Sequence, residues 1–209
     1  MARKPGSAKR PGPARQAQDS AAHAIDAALK LAAEKGWRRL ALADIAEAAN
    51  MSLAELYQLY PSKRAILDAF VRSVDRAVLA ETGAPEGPAK DRLFDVLMRR
   101  LDKLEPHKAA LERIGEDTAR DPLGVLCGLS QLDRSMAAML EAAGISAGGI
   151  GGSVRAKGLS AVYLAALRAW FRDDTADKSK TMAALDRALS RADRLASRFS
   201  PRERRSAAA

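Results

Sequence analysis

Alanine fills 45 of the 209 positions, whereas valine, isoleucine and threonine together fill 17. Alanine loses no side-chain entropy in a helix and β-branched residues favour strands, so this bias commits the chain to helices. With 47% apolar and 29% charged residues the chain has material for a buried core, which excludes wholesale disorder. The helix breakers then divide it. Pro5, Pro11 and Pro13 with Gly6 and Gly12 predict a flexible basic arm over 1–18. Helices are expected over 19–36, 43–49, 53–60 and from Ser62 towards 82, with Asn50 in a left-handed conformation after the second. Gly83–Pro88 forms a linker, and further helices are expected near 90–104, 107–119, 122–143, 154–172 and 177–198. Gly144, Gly148, Gly149, Gly151 and Gly152 predict a mobile loop, and 201–209 a disordered basic tail.

The net charge of +9 is unevenly placed. Residues 1–18 carry five cations and no anion, and residues 191–209 carry six arginines against Asp193 and Glu203. The other 172 residues balance at 24 and 24. Basic ends on a neutral body point to an acidic partner, either nucleic acid or an anionic surface. Cys127 is the sole cysteine, which excludes an internal disulfide and fits a reducing compartment. No apolar run reaches the ~18–20 residues of a membrane span, and the N-terminus lacks the apolar stretch of a secretory signal, so a cytoplasmic location is expected. No nucleophile–base order, paired carboxylates or metal-ligand spacing occurs, so no enzyme activity, cofactor or metal is expected, and His23 and His107 are read as surface residues.

Residues 40–60 hold two short helices joined by a tight turn, with small apolar residues where they cross. That is a helix-turn-helix, a unit that places its second helix in a DNA major groove. The wider pattern IDAALKLAAEKGW, LADIAEAANMS and LYQLYPSKRAIL resembles the N-terminal domain of the TetR family of bacterial transcriptional repressors. The matching positions include Ala27, Ala28, Gly36, Trp37, Asp44, Ile45, Ala46, Ala49, Ser52, Leu56, Tyr57, Tyr60, Ser62 and Lys63. The resemblance implies an all-α, TetR-like fold: a three-helix helix-turn-helix DNA-binding domain over 19–82 and a helical ligand-binding and dimerisation domain over 89–200. It implies a homodimeric repressor that binds operator DNA and is released by a small apolar ligand. It also implies that Tyr57 and Lys63 touch phosphates and that Ser52 starts the recognition helix. The sequence departs from the family pattern at Leu40, Ala41, Ala43, Leu53, Ala54, Glu55 and Leu59, and the helix from Leu53 to Tyr60 has no lysine or arginine. Leu53, Glu55 and Gln58 are its base-facing candidates, since Glu accepts from cytosine and Gln pairs with adenine. Arg38 and Arg39 are further phosphate candidates.

In the second domain Leu93, Val96, Leu97, Leu101 and Leu104 share a face, as do Leu126, Leu129, Leu132, Met136, Met139 and Leu140. Leu97, Leu101, Leu126, Met136, Met139, Tyr163, Leu167 and Trp170 are expected to line a ligand pocket. The resemblance implies that the last two helices pair with a second subunit, with Leu159, Val162, Ala166, Leu185 and Leu189 at the interface. Asp173, Asp174 and Thr175 are expected to cap the final helix. Arg187, Arg191, Arg194 and Arg198 lie mostly opposite its apolar stripe, as on a helix resting on an anionic membrane surface. The C-terminal half, through Gly36-Trp37 and the layout AVYLAALRAWFRDDTADKSKTMAALDRALSRADRL, is also similar to a TetR-fold lipid-binding protein of ubiquinone biosynthesis. That second resemblance implies a membrane-docking accessory protein with little DNA binding.

Overall fold

A computed structural model describes residues 13–199; the expected arm up to residue 12 and the tail over 201–209 lie outside it. Helix α1 (Pro13–Lys35) begins six residues before the expected Asp19. Proline is tolerated in a first turn, where an N–H has no partner anyway, and the Ala-Arg-Gln-Ala-Gln that follows consists of good helix formers. The helix buries Ala24, Ile25, Ala28, Leu29 and Ala32. It stops at Gly36, whose φ of 82° suits glycine and whose N–H donates to the Ala32 carbonyl at 3.0 Å.

Two short helices, α2 (Leu42–Ala48) and α3 (Leu53–Leu59), follow, with Asn50 between them at φ 51°. Ile45, Ala46 and Leu56 are buried and hold this pair together and against α1. Ser62 caps α4 (Lys63–Glu81), its hydroxyl accepting from the Ala65 N–H at 3.1 Å. The chain continues through α5 (Ala89–Leu104), a 3-10 turn (Glu105–His107), α6 (Lys108–Thr118), α7 (Pro122–Ala142), α8 (Gly149–Phe171) and α9 (Ser179–Phe199). Among the described residues there is no strand. Helix α1 packs on α6, α4 on α5 and α7, and α8 lies between α7 and α9. His107 is half-buried rather than on the surface, its ring edge-on to Phe70 at 5.0 Å between centroids.

The glycine run lies only partly in a loop: residues 144–148 join α7 to α8, whereas Gly149, Gly151 and Gly152 are helical. Helix α8 starts at Gly149, five residues earlier than expected, with Gly148 as its N-cap and the Gly152 N–H bonded to the Gly148 carbonyl at 3.1 Å. A Cβ on Gly152 would collide with the Ala147 backbone, so the missing side chain is what lets this helix start press against the preceding chain.

The Gly83–Pro88 linker is bonded to the helices that follow it. Arg92 donates to the Ala143 carbonyl at 2.7 Å and to the Gly87 carbonyl at 2.6 Å, tying the linker to the end of α7. Deeper in, the Arg100 guanidinium of α5 donates through Nε to Asp75 Oδ1 of α4 at 3.0 Å and through Nη1 to the Tyr163 hydroxyl of α8. Ser135 of α7 donates to the same Asp75 oxygen at 2.7 Å. All four residues are buried, so one polar knot joins four helices across the expected domain boundary. At the α8–α9 turn, Asp173 Oδ2 accepts from the Thr181 N–H at 2.8 Å and hydroxyl at 2.7 Å, and Oδ1 accepts from the Thr175 hydroxyl at 2.5 Å. These bonds hold the Asp173 carboxyl well below the usual carboxylate range.

Two measurements test these contacts. Asp75→Ala leaves the buried guanidinium unpaired and should destabilise the protein by about 3–5 kcal/mol in urea unfolding. Because the folded pKa of Asp173 is depressed, its stabilisation is present above its ordinary value of 3.8 and lost as pH falls below it. The melting-temperature gap between wild type and Asp173→Asn should therefore be full at pH 6 and shrink on acidification.

Candidate nucleic-acid interface and ligand cavity

The turn between α2 and α3 leaves one side of α3 bare. Leu56 is fully buried beneath it, while Leu53 and Tyr57 are 50% and 59% exposed and Ala54 and Gln58 are exposed beside them. Leu53, Tyr57 and Gln58 thus share the outer face of the second helix, free to meet a groove edge. Glu55, also expected there, is engaged elsewhere. Its Oε2 accepts from the Ser52 N–H and from the Ser52 hydroxyl, both at 2.7 Å, and the Ser52 oxygen accepts the Glu55 N–H at 3.2 Å. This capping box, written in the sequence as Ser-x-x-Glu, folds the carboxylate back onto the helix start and lowers its pKa. Ser52 starts α3 as expected, but its hydroxyl too is used within the cap. At α2 half of the same device exists: Asp44 accepts from the Ala41 N–H at 2.8 Å, and Ala41 has no hydroxyl to answer.

Lys63 does not reach outward as a free cation. Its Nζ donates to the Trp37 carbonyl at 2.7 Å and lies 5.4 Å from the centre of that indole, and burial lowers its pKa. It fastens the turn after α1 to the start of α4. Arg38 and Arg39 are exposed, and the Arg38 backbone N–H donates to Asp117 Oδ2 of α6 at 3.0 Å, lowering the Asp117 pKa. Their side chains share a surface depression with Lys35, with Arg113 of α6 and Arg120 just after it, and with Glu116 and Asp117, a largely basic cluster invisible in sequence because its members come from distant segments. Helices α2 and α3 themselves carry Asp44, Glu47 and Glu55 and no cation.

A cavity of about 820 Å³ opens between the two halves of the chain. Trp37, Lys63 and Leu67 border it on one side, Leu111, Ile114 and Leu132 on another, and Tyr163, Leu167 and Phe171 on a third. Of the eight expected pocket residues, Tyr163 and Leu167 stand on this wall. Leu97, Leu101, Met136, Met139 and Trp170 are instead fully buried in the core, where a continuous apolar stripe packs tightest. Leu126 is 65% exposed, because the first turns of α7 extend past the helices that cover its later turns. Arg100 and Gln131 on the wall escape the sequence reading, although a lone arginine inside the stripe of Val96, Leu97, Leu101 and Leu104 is itself a signal.

The expected interface residues Leu159, Val162, Ala166, Leu185 and Leu189 are all buried within the subunit, where α8 packs on α7 and α9. The outward side of α8 carries Val154, Gly158, Ala161, Leu164 and Ala165 instead. An apolar stripe on a helix marks its most buried side, and here that side faces the chain's own core. Arg187, Arg191 and Arg194 are exposed on α9; the side chain of Arg198 lies outside the described residues. No helix among the described residues is long and apolar enough to cross a membrane, and none of their His, Cys, Asp and Glu side chains form a metal-binding group.

A helix-turn-helix with a bare second helix, joined to a helical body, is the architecture of a helix-turn-helix transcription regulator. Residues 24–70 match the family model of bacterial regulatory proteins, tetR family. Solved structures agree on the fold of the rest. A TetR transcriptional regulator from Nitrosomonas europaea is 22% identical with a TM-score of 0.69, covering 84% of this chain and 98% of its own. One from Rhodococcus sp. RHA1 is 21% identical with a TM-score of 0.62 (84% and 96% covered). NalD, the secondary repressor of the MexAB-OprM multidrug efflux pump in Pseudomonas aeruginosa, is 16% identical with a TM-score of 0.50 (84% and 96% covered). No curated protein matches the chain by sequence.

Ser52→Ala removes one half of the capping box and should lower stability by about 1 kcal/mol in chemical denaturation, with the loss centred on α3 in hydrogen exchange.

Proposed function

We propose that this chain is a dimeric TetR-type repressor that binds operator DNA through α2 and α3 and is released when a small, largely apolar ligand fills the cavity. The observation that carries the reading is the cavity's wall. Trp37 and Lys63, which fix the turn leading into the helix-turn-helix, border the same space as Tyr163 and Leu167 of the helical body. A molecule bound there touches both halves at once, so it binds two arrangements of them with different affinity, which is what a ligand-driven switch requires. The family match supports operator DNA as the partner, and NalD, of similar fold, is named a repressor.

Base contacts fall to Gln58 and Leu53, and phosphate contacts to Tyr57, Arg38 and Arg39, whose side chains are exposed. Because α2 and α3 bring no cation, much of the attraction to phosphates comes from outside them, with Arg3, Lys4, Lys9 and Arg10 ahead of α1 as contributors. A second subunit pairs through the outward sides of α8 and α9, where Gly158 and Ala161 permit close helix approach.

The test is a salt-titrated anisotropy measurement on DNA from upstream of the protein's own gene. Sequence-specific binding is expected, and affinity that is equal on scrambled DNA defeats the proposal. Gln58→Ala should cost about 1–3 kcal/mol and relax preference at one base pair per half-site. Removing residues 1–12 should flatten the salt dependence by about 0.9 in log–log slope for each phosphate those residues neutralise, while leaving the base preference intact.

A further inference from the structure

Arg100 sits at the base of the cavity and is not used up by its partners. A guanidinium has five N–H donors. Nε serves Asp75 and Nη1 serves Tyr163, and among the described residues Nη2 has no partner. Yet no described side-chain nitrogen or oxygen is both sealed from open space and unpartnered. Nη2 therefore opens onto free space, and the space that Arg100 borders is the cavity. The residue as a whole is only 3% exposed, so this donor works in a water-poor setting where charge-assisted bonds are strong. Gln131 borders the same space; its side-chain oxygen accepts from Arg134 at 2.7 Å, which leaves its amide nitrogen as a second donor one turn before Ser135.

The surrounding charges select the sign of what enters. Six cationic side chains border the cavity against three carboxylates, and pairing of Arg64 with Asp68 and of Arg120 with Asp117 still leaves a cationic surplus. Asp68 faces Arg64 at 3.8 Å, Asp117 accepts the Arg38 N–H at 3.0 Å, and Asp121 caps α7 through the Leu123 N–H at 3.2 Å. Asp75 lies behind Arg100 and offsets part of its charge, but Ser135 and the guanidinium saturate its nearer oxygen. The rest of the wall is apolar, with Phe70, Leu104, Ile114 and Phe171 among its residues. A volume of about 820 Å³ is within the range of small-molecule sites.

We infer that the cavity takes an amphiphilic organic acid, an apolar body carrying one carboxylate head that accepts hydrogen bonds from Arg100 Nη2 and the Gln131 amide. This rests on the cavity being the ligand site of the proposed repressor. The acid remains ionised at neutral pH, and its apolar body covers the walls while the head takes the donors that would otherwise face the cavity unpaired.

Calorimetry on the full chain with decanoate, decanol and decylamine isolates the head group, since the apolar body is held constant. Decanoate should bind at least about tenfold more tightly than decanol, with decylamine weakest. Asp75→Asn combined with Arg100→Gln removes both buried charges together, the form of substitution that a fold tolerates best. In that variant the acid-over-alcohol preference should vanish while decanol still binds. If the variant does not fold, wild type suffices: the preference should shrink as pH falls through the carboxyl pKa of the ligand. Equal binding of acid and alcohol, a preference unaffected by pH, retention of the preference in the folded variant, or no binding at all overturns the inference. Decanol that releases operator DNA as well as decanoate does overturns the head-group claim alone and leaves the repressor standing. Decanoate held by Arg100 without release of DNA confirms the site and overturns the switch.

Discussion

A guanidinium buried to 3% exposure is an expensive object to fold around, and the arrangement of this chain follows from how Arg100 is satisfied. Burial works against its charge, and Tyr163 and Asp75 more than offset that, raising its pKa; burial in turn raises that of the Tyr163 phenol. To deliver those partners, α4 must bring Asp75, α8 must bring Tyr163, and α7 must place Ser135 on the far side of the carboxylate. Apolar packing alone would let these helices slide, because alanine-rich faces offer few distinctive knobs. The polar knot sets their register, and its arginine also borders the cavity.

The helices are legible in the sequence because their breakers are strong: Gly36, Asn50, Pro61 with Ser62, Pro88 and Pro122 all fall at helix ends. Where a breaker misleads, position explains it. Pro13 opens a helix since a first-turn proline lacks nothing, and at Gly152 the missing Cβ admits the Ala147 backbone against the start of α8. The sites are less legible for a different reason. Periodicity shows which side of a helix is apolar but not what covers it, so the stripes on α7, α8 and α9 read as surfaces for a ligand or a partner when much of each is the chain's own core. The residues that do border the cavity come from five helices, the turn after α1 and the turn between α6 and α7, and no local pattern collects them. Glu55 is a different case, since the Ser-x-x-Glu spacing is present and local hydrogen bonding outcompetes display to solvent.

The capping box also changes the electrostatics of the proposed DNA face. A carboxylate aimed at the groove would repel phosphates, but Glu55 is drawn in at the positive end of α3, and Asp44 likewise faces the start of α2. Beside the capped but still exposed Glu55, the outward residues of α3 are Leu53, Ala54, Tyr57 and Gln58, all uncharged. Such a surface discriminates bases by shape and by one amide while contributing little general affinity. The +9 of the whole chain is then a property of the flanks, where it can raise affinity for any phosphate backbone without altering which sequence is chosen.

Lys63 links these two themes. A family-like lysine at the start of α4 is placed where phosphate would be near, yet its ammonium is held by the Trp37 carbonyl at 2.7 Å and borders the cavity. The same bond therefore ties the entry to the helix-turn-helix and forms part of the proposed ligand wall. Lys63 adds to the positive field that a proposed anionic ligand would meet, while the proposed head-group donors are Arg100 and Gln131. An uncharged ligand would gain nothing from that field, so in the proposed reading the charge of the head group decides how firmly the cavity is filled.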